Sequence, residues 1–327
     1  MLRIGVDLGG TNIAAGLVDE EYRILDRLSV KTNLPRPAES IIADIAELVN
    51  RLCDRNNVVQ RDIESVGVGV PGTVNEDTGY VELSNNLGFE MVPFISLLGG
   101  MVEAPVHFGN DANAAALGEY LAGGYNVKSF VMITLGTGIG SGIILDGKLI
   151  KGINYAASEL GHTVIKLGGE QCTCGRKGCF EAYASATALI RDTRRLLLKR
   201  SNAVESMHNN VGNMLERSEI WKLCDGDVGK IEAKHVFDAV KHEDELAKEL
   251  FWNYTEYLAE GIANIINILQ PELVCIGGGV SKAGDMLLAP VKEKVAGRIF
   301  SKNSARNTDI KLARLDNDAG IIGAAML

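Results

Sequence analysis

Apolar residues from Leu2 to Leu8 lead into a turn at Gly9-Gly10-Thr11-Asn12. A second apolar run follows from Ile13 to Val18, and Asp19-Glu20-Glu21 turns the chain toward a third from Tyr22 to Leu28. Short apolar runs punctuated by glycine and acidic clusters predict three antiparallel strands. The period then changes. Ile41, Ile42, Ile45, Leu48, Val49 and Leu52 recur at helical spacing, which predicts an amphipathic helix from Glu39 to Arg55 lying over a sheet. Ile63 to Val70 predicts a buried strand ending at Pro71-Gly72. Glu82 to Phe89, with the pair Asn85-Asn86, reads as a loop. Pro105 to Gly109 predicts a short strand that runs directly into Asn110-Asp111-Ala112-Asn113 and a helix from Ala114 to Leu121.

The opening grammar returns in mid-chain. Phe130 to Gly147 again reads apolar strand, glycine turn, apolar strand, acidic turn. Asp7-Leu8-Gly9 aligns with Thr134-Leu135-Gly136, and Asp19 with Asp146, at one offset of 134 minus 7, or 127 residues. Two copies of one unit predict two related domains. Beyond them the pattern is mostly helical, with Glu181 to Lys199 and a long helix from Glu243 to Leu269. Between these helices, Asn202 to Lys230 is polar and irregular. Glu272 to Ile276 predicts a buried strand before Gly277-Gly278-Gly279, Asp309 to Leu315 a last strand, and Asp318-Ala319-Gly320 the start of a small-residue helix reaching Met326.

Composition narrows the functional classes. At 327 residues, 46% hydrophobic and 23% charged, the chain is of ordinary globular type and long enough for two cores. A net charge of -9 argues against non-specific binding to nucleic acid or acidic membranes, which requires clustered positive charge. No apolar run is long enough to span a bilayer, and the start reads as a strand rather than a signal peptide, so a cytoplasmic protein is expected.

The densest chemistry lies between Glu159-Leu160-Gly161-His162 and Cys172-Thr173-Cys174-Gly175-Arg176-Lys177-Gly178-Cys179-Phe180-Glu181. His162, Cys172, Cys174 and Cys179 could supply the ligands of one tetrahedral zinc. Four protein ligands leave no open position, so such a metal would be structural. A disulfide or plain buried thiols are the alternatives, and a reducing cytosol favours free thiols. Cys53, Cys224 and Cys275 are scattered and read as inert.

Other candidates rest on position. Backbone N–H groups in the Gly9-to-Asn12 turn can converge on a phosphate, although the turn alone could be a plain hairpin. Two such turns suggest a nucleotide. Gly142 to Leu149 mimics the start of a P-loop, but Leu149 stands where Ser or Thr is required, and Asp146-Gly147 reads better as a hairpin turn. Asp111 follows a strand end, where ligands gather in open sheets, and is the leading candidate for a general base; its competing role is to cap the following helix. The Asn85-Asn86 pair suits sugar hydroxyls or turn chemistry. Gly278 could admit a nucleoside or serve a tight connection. His107 reads as packed, and His208, His235 and His242 as surface residues.

Taken together, Asp7-Leu8-Gly9-Gly10-Thr11-Asn12, Asn110-Asp111-Ala112-Asn113, Leu135-Gly136-Thr137-Gly138-Ile139-Gly140, Glu159-Leu160-Gly161-His162, the Cys172-to-Glu181 cluster, Ile276-Gly277-Gly278-Gly279 and Ala319-Gly320 resemble the ROK family of sugar kinases and repressors, and within it the bacterial ATP-dependent glucokinases. The resemblance implies an α/β, actin-like ATPase (ribonuclease H-like) duplicated fold. It implies a smaller N-terminal lobe, residues 1–117 plus 308–327, and a larger one, 118–307, with a cleft between them. ATP phosphates would lie against Gly9, Gly10, Thr11, Asn12, Thr137 and Gly138, and the nucleoside near Gly278. Glucose hydroxyls would meet Asn86, Asn110, Asp111, Glu159, His162 and Glu181, with Asp111 as base and zinc on His162, Cys172, Cys174 and Cys179.

Phosphoryl transfer also requires magnesium, which Asp7 could order through water. His162 could bind zinc with one nitrogen and a sugar hydroxyl with the other. A homodimer is expected. An N-acetylmannosamine or N-acetylglucosamine kinase is the near alternative, and a sugar-responsive repressor the distant one; repressors carry a DNA-binding module ahead of this part, whereas here Met1 abuts the first strand. Three positions depart from the family pattern: Gly109 where an acid is usual, Ser158 where glycine or alanine precedes Glu159, and Phe89 where tryptophan is frequent.

Overall fold

The computed structural model describes residues 1–206 and 218–327, so His208 and part of the irregular stretch before Lys230 lie outside the described residues. It contains two compact units: Met1–Ile133, Ser141–Glu159 and Ala313–Leu327 in one, Thr134–Gly140 and Leu160–Leu312 in the other.

In the first unit β1 (Arg3–Leu8), β2 (Asn12–Val18) and β3 (Ile24–Lys31) form an antiparallel meander. The third strand starts two residues later than the sequence predicts, because Tyr22 takes a left-handed turn conformation at φ 63°. Helix α1 (Ala38–Asn56) buries the predicted stripe Ile41, Ile42, Ile45, Leu48, Val49 and Leu52 in the main core. Parallel strand β4 (Val66–Val70) is buried throughout.

A small antiparallel sheet of β5 (Thr73–Asn75), β6 (Tyr80–Ser84) and β7 (Phe89–Val92) comes next. The stretch predicted as a loop from Glu82 to Phe89 is therefore half strand; polar Glu82 and Ser84 disguised it. Helix α2 (Phe94–Gly99) then leads to β8 (Val106–Asn110), which completes the sheet order β3-β2-β1-β4-β8.

The C-terminal helix Asp318–Ala325 lies on this sheet with almost no side-chain spacing. A Cβ at Gly5 would collide with the backbone oxygen of Ile321, and one at Gly67 with that of Ala324. Glycine on the strands allows this approach, Gly320 meets the Asp7 side chain, and Gly323 lies against the backbone of Ala114 and Gly118.

The second five-stranded sheet has the order β11-β10-β9-β12-β13, from β9 (Phe130–Leu135), β10 (Ile139–Leu145), β11 (Lys148–Leu149), β12 (Leu273–Gly277) and β13 (Asp309–Leu312). Its first hairpin repeats β1 and β2 at the predicted offset of 127 at every boundary: 3 to 130, 8 to 135, 12 to 139 and 18 to 145. Asp146 and Gly147, at φ 50° and 75°, form the tight turn expected in place of a P-loop.

The helical run predicted from Glu181 is broken at Ser185, which is extended (φ −82°, ψ 165°) and accepts Ala188 N at 3.1 Å, so a one-turn helix, Glu181–Ala184, precedes Ala186–Ser206. His235 is buried rather than on the surface. Its Nδ1 accepts Glu232 N at 3.3 Å, capping the helix Ala233–Lys241. His107 is exposed rather than packed, because alternation along β8 turns Phe108 inward instead. Among the described residues no helix is long and apolar enough to cross a membrane.

Candidate active site and cysteine-histidine cluster

Parallel pairing sets the first group of residues. Asp7 lies opposite Gly69 and Gly69 opposite Gly109, one row across β1, β4 and β8, with Asp111 two residues past the row. Gly69 keeps the space beside Asp111 open: a Cβ there would stand 3.4 Å from the Asp111 Cα.

Asp111 is the first residue of α3 (Asp111–Ala122), one turn longer at its start than predicted, and it does not cap that helix. The cap is Asn110, whose Oδ1 accepts Asn113 N at 3.0 Å while its Nδ2 donates to Gly72 O at 3.1 Å. Asp111 Oδ1 accepts the neighbouring Ala112 N at 2.8 Å. Burial, and after it the charge of Asp7, push the Asp111 carboxyl up to about 6; the Ala112 N–H opposes this and Glu159 adds to it. Asp7 is likewise raised to about 6 by burial. Two carboxyls raised by loss of water, one of them also by a neighbouring negative charge, are characteristic of a proton-handling site.

The turn beside Asp7 is braced from behind. Gly9 N donates to Asn12 O at 2.9 Å, and Thr32, fully buried, donates through Oγ1 to Gly9 O at 2.7 Å and through its N–H to Thr11 O at 3.0 Å. Gly10, Thr11 and Asn12 are exposed. Asn86, in the turn between β6 and β7, places its backbone oxygen 4.0 Å from where a side chain would begin at Gly10. The bracing by Thr32 is invisible in the sequence, since a threonine after an alternating strand carries no signal of its own.

The second group belongs to the other unit. Gly136 N donates to Gly138 O at 3.0 Å and Ala186 N to Gly136 O at 2.9 Å, leaving Thr137 exposed at the turn. Gly278 has φ 83°, and a Cβ there would lie 2.5 Å from Leu135 O, so only glycine fits against the end of β9. Glu181 ties this turn to the cysteine loop: its Oε2 accepts Ile139 N at 2.9 Å and its Oε1 accepts the Thr173 hydroxyl at 3.1 Å.

His162, Cys172, Cys174 and Cys179 converge, with their ligand atoms all within 4.8 Å of one another. The spacing tests the metal directly. Tetrahedral zinc, with Zn–S of about 2.3 Å and Zn–N of about 2.0 Å, places two sulfurs about 3.8 Å apart and sulfur and nitrogen about 3.5 Å apart. Cys174 Sγ and Cys179 Sγ are 3.7 Å apart, and Cys172 Sγ and His162 Nδ1 are 3.5 Å apart. All six cysteines are free thiols, and 3.7 Å is far beyond a disulfide bond. Crowding makes ionisation costly without a cation: burial first, then neighbouring thiols, push Cys179 up to about 12. The donor set, the distances and this demand for compensating charge fit zinc.

The three departures have local causes. Leu327 fills the side-chain space of Gly109, with its Cδ2 3.1 Å from a Cβ position there. Ser158 sits at φ 68°, a conformation glycine adopts without strain, and donates to Ile150 O at 3.1 Å. Phe89 is buried in the core of the first unit.

Two open sheets, each begun by the same glycine-turn hairpin, together with the helices define the mixed α/β fold of the actin-like ATPase class. The chain belongs to the ROK family, whose pattern matches residues 3–327. It is 36% identical to a glucokinase of Halalkalibacterium halodurans, over 99% of this chain and 94% of that protein. It is also 29% identical to a xylose repressor of Caldicellulosiruptor bescii, over 98% of this chain and 76% of that protein. A solved structure described as a ROK family glucokinase from Streptomyces griseus in complex with glucose and AMPPNP is similar with a TM-score of 0.81 and 35% identity, covering 100% of this chain and 98% of that one.

Proposed function

We propose that this chain is an ATP-dependent sugar kinase that phosphorylates glucose at the 6-hydroxyl, with Asp111 as the general base. The observation that carries the reading is Asp111 itself: Asn110 takes over the capping task, and burial together with Asp7 poises the Asp111 carboxylate at about 6. A base with that affinity is ionised at neutral pH yet still accepts a proton in the transition state.

As the 6-oxygen bonds to the γ-phosphorus, its proton passes to Asp111, the bond to the bridging oxygen breaks and ADP leaves. Bound magnesium would supply charge neutralisation on the phosphates, with Asp7 holding its water. Gly9, Gly10, Thr11 and Asn12 on one turn, and Thr137 and Gly138 on the other, offer backbone and hydroxyl donors to ATP oxygens, with Gly278 admitting the nucleoside. Asn86, Asn110, Glu159, His162 and Glu181 position the sugar hydroxyls.

A structural zinc on His162, Cys172, Cys174 and Cys179 would hold His162 by Nδ1, which directs Nε2 toward substrate. We assign the functional lobes to 1–117 plus 308–327 and 118–307, and expect a cytoplasmic homodimer that binds neither nucleic acid nor membrane.

ADP release coupled to a reporter, measured with glucose, mannose, N-acetylmannosamine and N-acetylglucosamine, tests the reading. Glucose is expected to give the highest kcat/KM. A higher value with an N-acetylated sugar assigns the chain to that specificity. No sugar-dependent release, with a gel shift on operator-type DNA at low salt, would replace the kinase with a repressor.

A further inference from the structure

The hairpin between β5 and β6 has no part in the roles assigned so far, yet its tip grips the loop that carries Glu159. Glu76 Oε2 accepts Lys151 Nζ at 2.7 Å, in an ion pair whose side chains are 28% and 34% exposed. The carboxylate of the next residue, Asp77, acts on the Tyr155 hydroxyl and pushes the phenol up to about 12.

The loop itself is a closed unit. Ala157 N donates to Lys151 O at 3.1 Å, Ser158 Oγ donates to Ile150 O at 3.1 Å, and Ser141 Oγ donates to Ser158 O. Gly152, Tyr155 and Ser158 all take positive φ, at 78°, 59° and 68°, and Ile153 between them is fully exposed. Without a buried apolar anchor at its centre, such a loop depends on polar ties to keep one conformation. Lys151 and Tyr155 supply them, and Glu159 follows directly.

The rest of the small sheet touches the same group of residues. Gly72, the residue before β5, accepts Asn110 Nδ2 at 3.1 Å, and Asn86 lies in the turn after β6. Glu76 Oε1 also lies 3.6 Å from the Cβ position of Gly109, in the row that leads to Asp111.

We propose that Glu76 and Asp77 are positioning residues for sugar binding, clamping Lys151 and Tyr155 so that Glu159 is held ready for a substrate hydroxyl. The inference rests on the kinase reading above and deepens it by naming what sets the geometry of one substrate-binding carboxylate. A partly exposed ion pair is weak as a stabiliser, and its effect here is on the orientation of one loop.

The test uses the full chain with Glu76→Gln, Lys151→Met, their double variant and Tyr155→Phe, with Lys151→Arg as the conservative rescue. The expected result is a rise in KM for glucose of about five- to tenfold in each disrupting variant, from the loss of preorganisation. KM for ATP should stay within about twofold, Lys151→Arg should recover most of the loss, and the double variant should cost no more than the worse single one. Calorimetric titration with glucose alone should weaken in parallel.

Unchanged KM for glucose, or equal rises for both substrates that track a lower Tm, would overturn the clamp and leave a merely structural contact. If the unsubstituted chain shows no glucose-dependent ADP release, the kinase reading fails first; the clamp fails by itself only when that chain is active and the variants match it.

Discussion

Asp7 raises the proton affinity of Asp111 across the side-chain-free row at Gly69. Each carboxyl titrates at about 6 instead of 3.8, chiefly because of burial. The kcat/KM profile should therefore show an acid limb with a midpoint near 6, below which Asp111 carries a proton and cannot accept another. Asp7→Asn should move that limb to lower pH in whatever activity remains, because the like charge is gone. A limb near 4 in the unsubstituted protein would contradict this electrostatic account.

The same shift has a consequence for stability. A carboxyl whose pKa is higher folded than unfolded favours folding most below its unfolded value, and that contribution is lost as pH rises to the folded value. For Asp7 and Asp111 the window runs from 3.8 to about 6. Above it, Asp111→Asn removes an ionised group that burial disfavours, so the variant should melt about 1–3 °C higher at pH 8. The gap should close near pH 4. Differential scanning calorimetry at both values decides it, and a lower Tm for the variant at pH 8 would show that the carboxylate stabilises the fold.

The cysteine-histidine cluster predicts about one zinc per chain by elemental analysis, since four ligands fill one tetrahedral site. Chelation should lower Tm and release the loop that holds Thr173 against Glu181. Cys174→Ser should lose most of the metal and a large part of glucose binding. A chain free of metal, with Cys174→Ser fully active, would leave the cluster as ordinary packing.

The seat of the C-terminal helix makes a prediction about folding. Gly5→Ala and Gly67→Ala each drive a methyl group into a helix carbonyl with no flexible side chain to yield. Each should cost about 3 kcal/mol or more, at the upper end of overpacking, with loss of soluble expression the simplest readout. Gly99→Ala, with nothing within 4 Å, is the control and should be near neutral.

What could be read in the sequence followed the strength of the periodic signal. The stripe of α1 and the 127-residue repeat of the strand-turn-strand unit are long patterns, and both hold to within a residue or two. The small sheet was lost because β5 and β6 are short and half polar, and the break at Ser185 because one serine cap interrupts a continuous helical pattern. His235 resembled a surface residue because its neighbours are polar, yet its ring is spent on a helix start.

At the candidate site the residue types suggest a chemistry but do not apportion tasks. Nothing in Asn110-Asp111 says which side chain caps α3. Glu119 was invisible for a similar reason: it is fully buried and accepts Tyr125 OH at 2.7 Å, Arg314 N at 2.8 Å and Leu315 N at 3.1 Å, partners that only the folded chain brings to it.

The most direct measurement is the rate of glucose 6-phosphate formation from glucose and magnesium ATP by the unsubstituted chain and by Asp111→Asn, with ATP affinity determined separately. A fall in kcat of about 10²-fold or more, with ATP binding retained and Tm not lowered, is the predicted result for loss of a positioned base. Equal rates in the two proteins would remove Asp111 from the chemistry and with it the account given for this site.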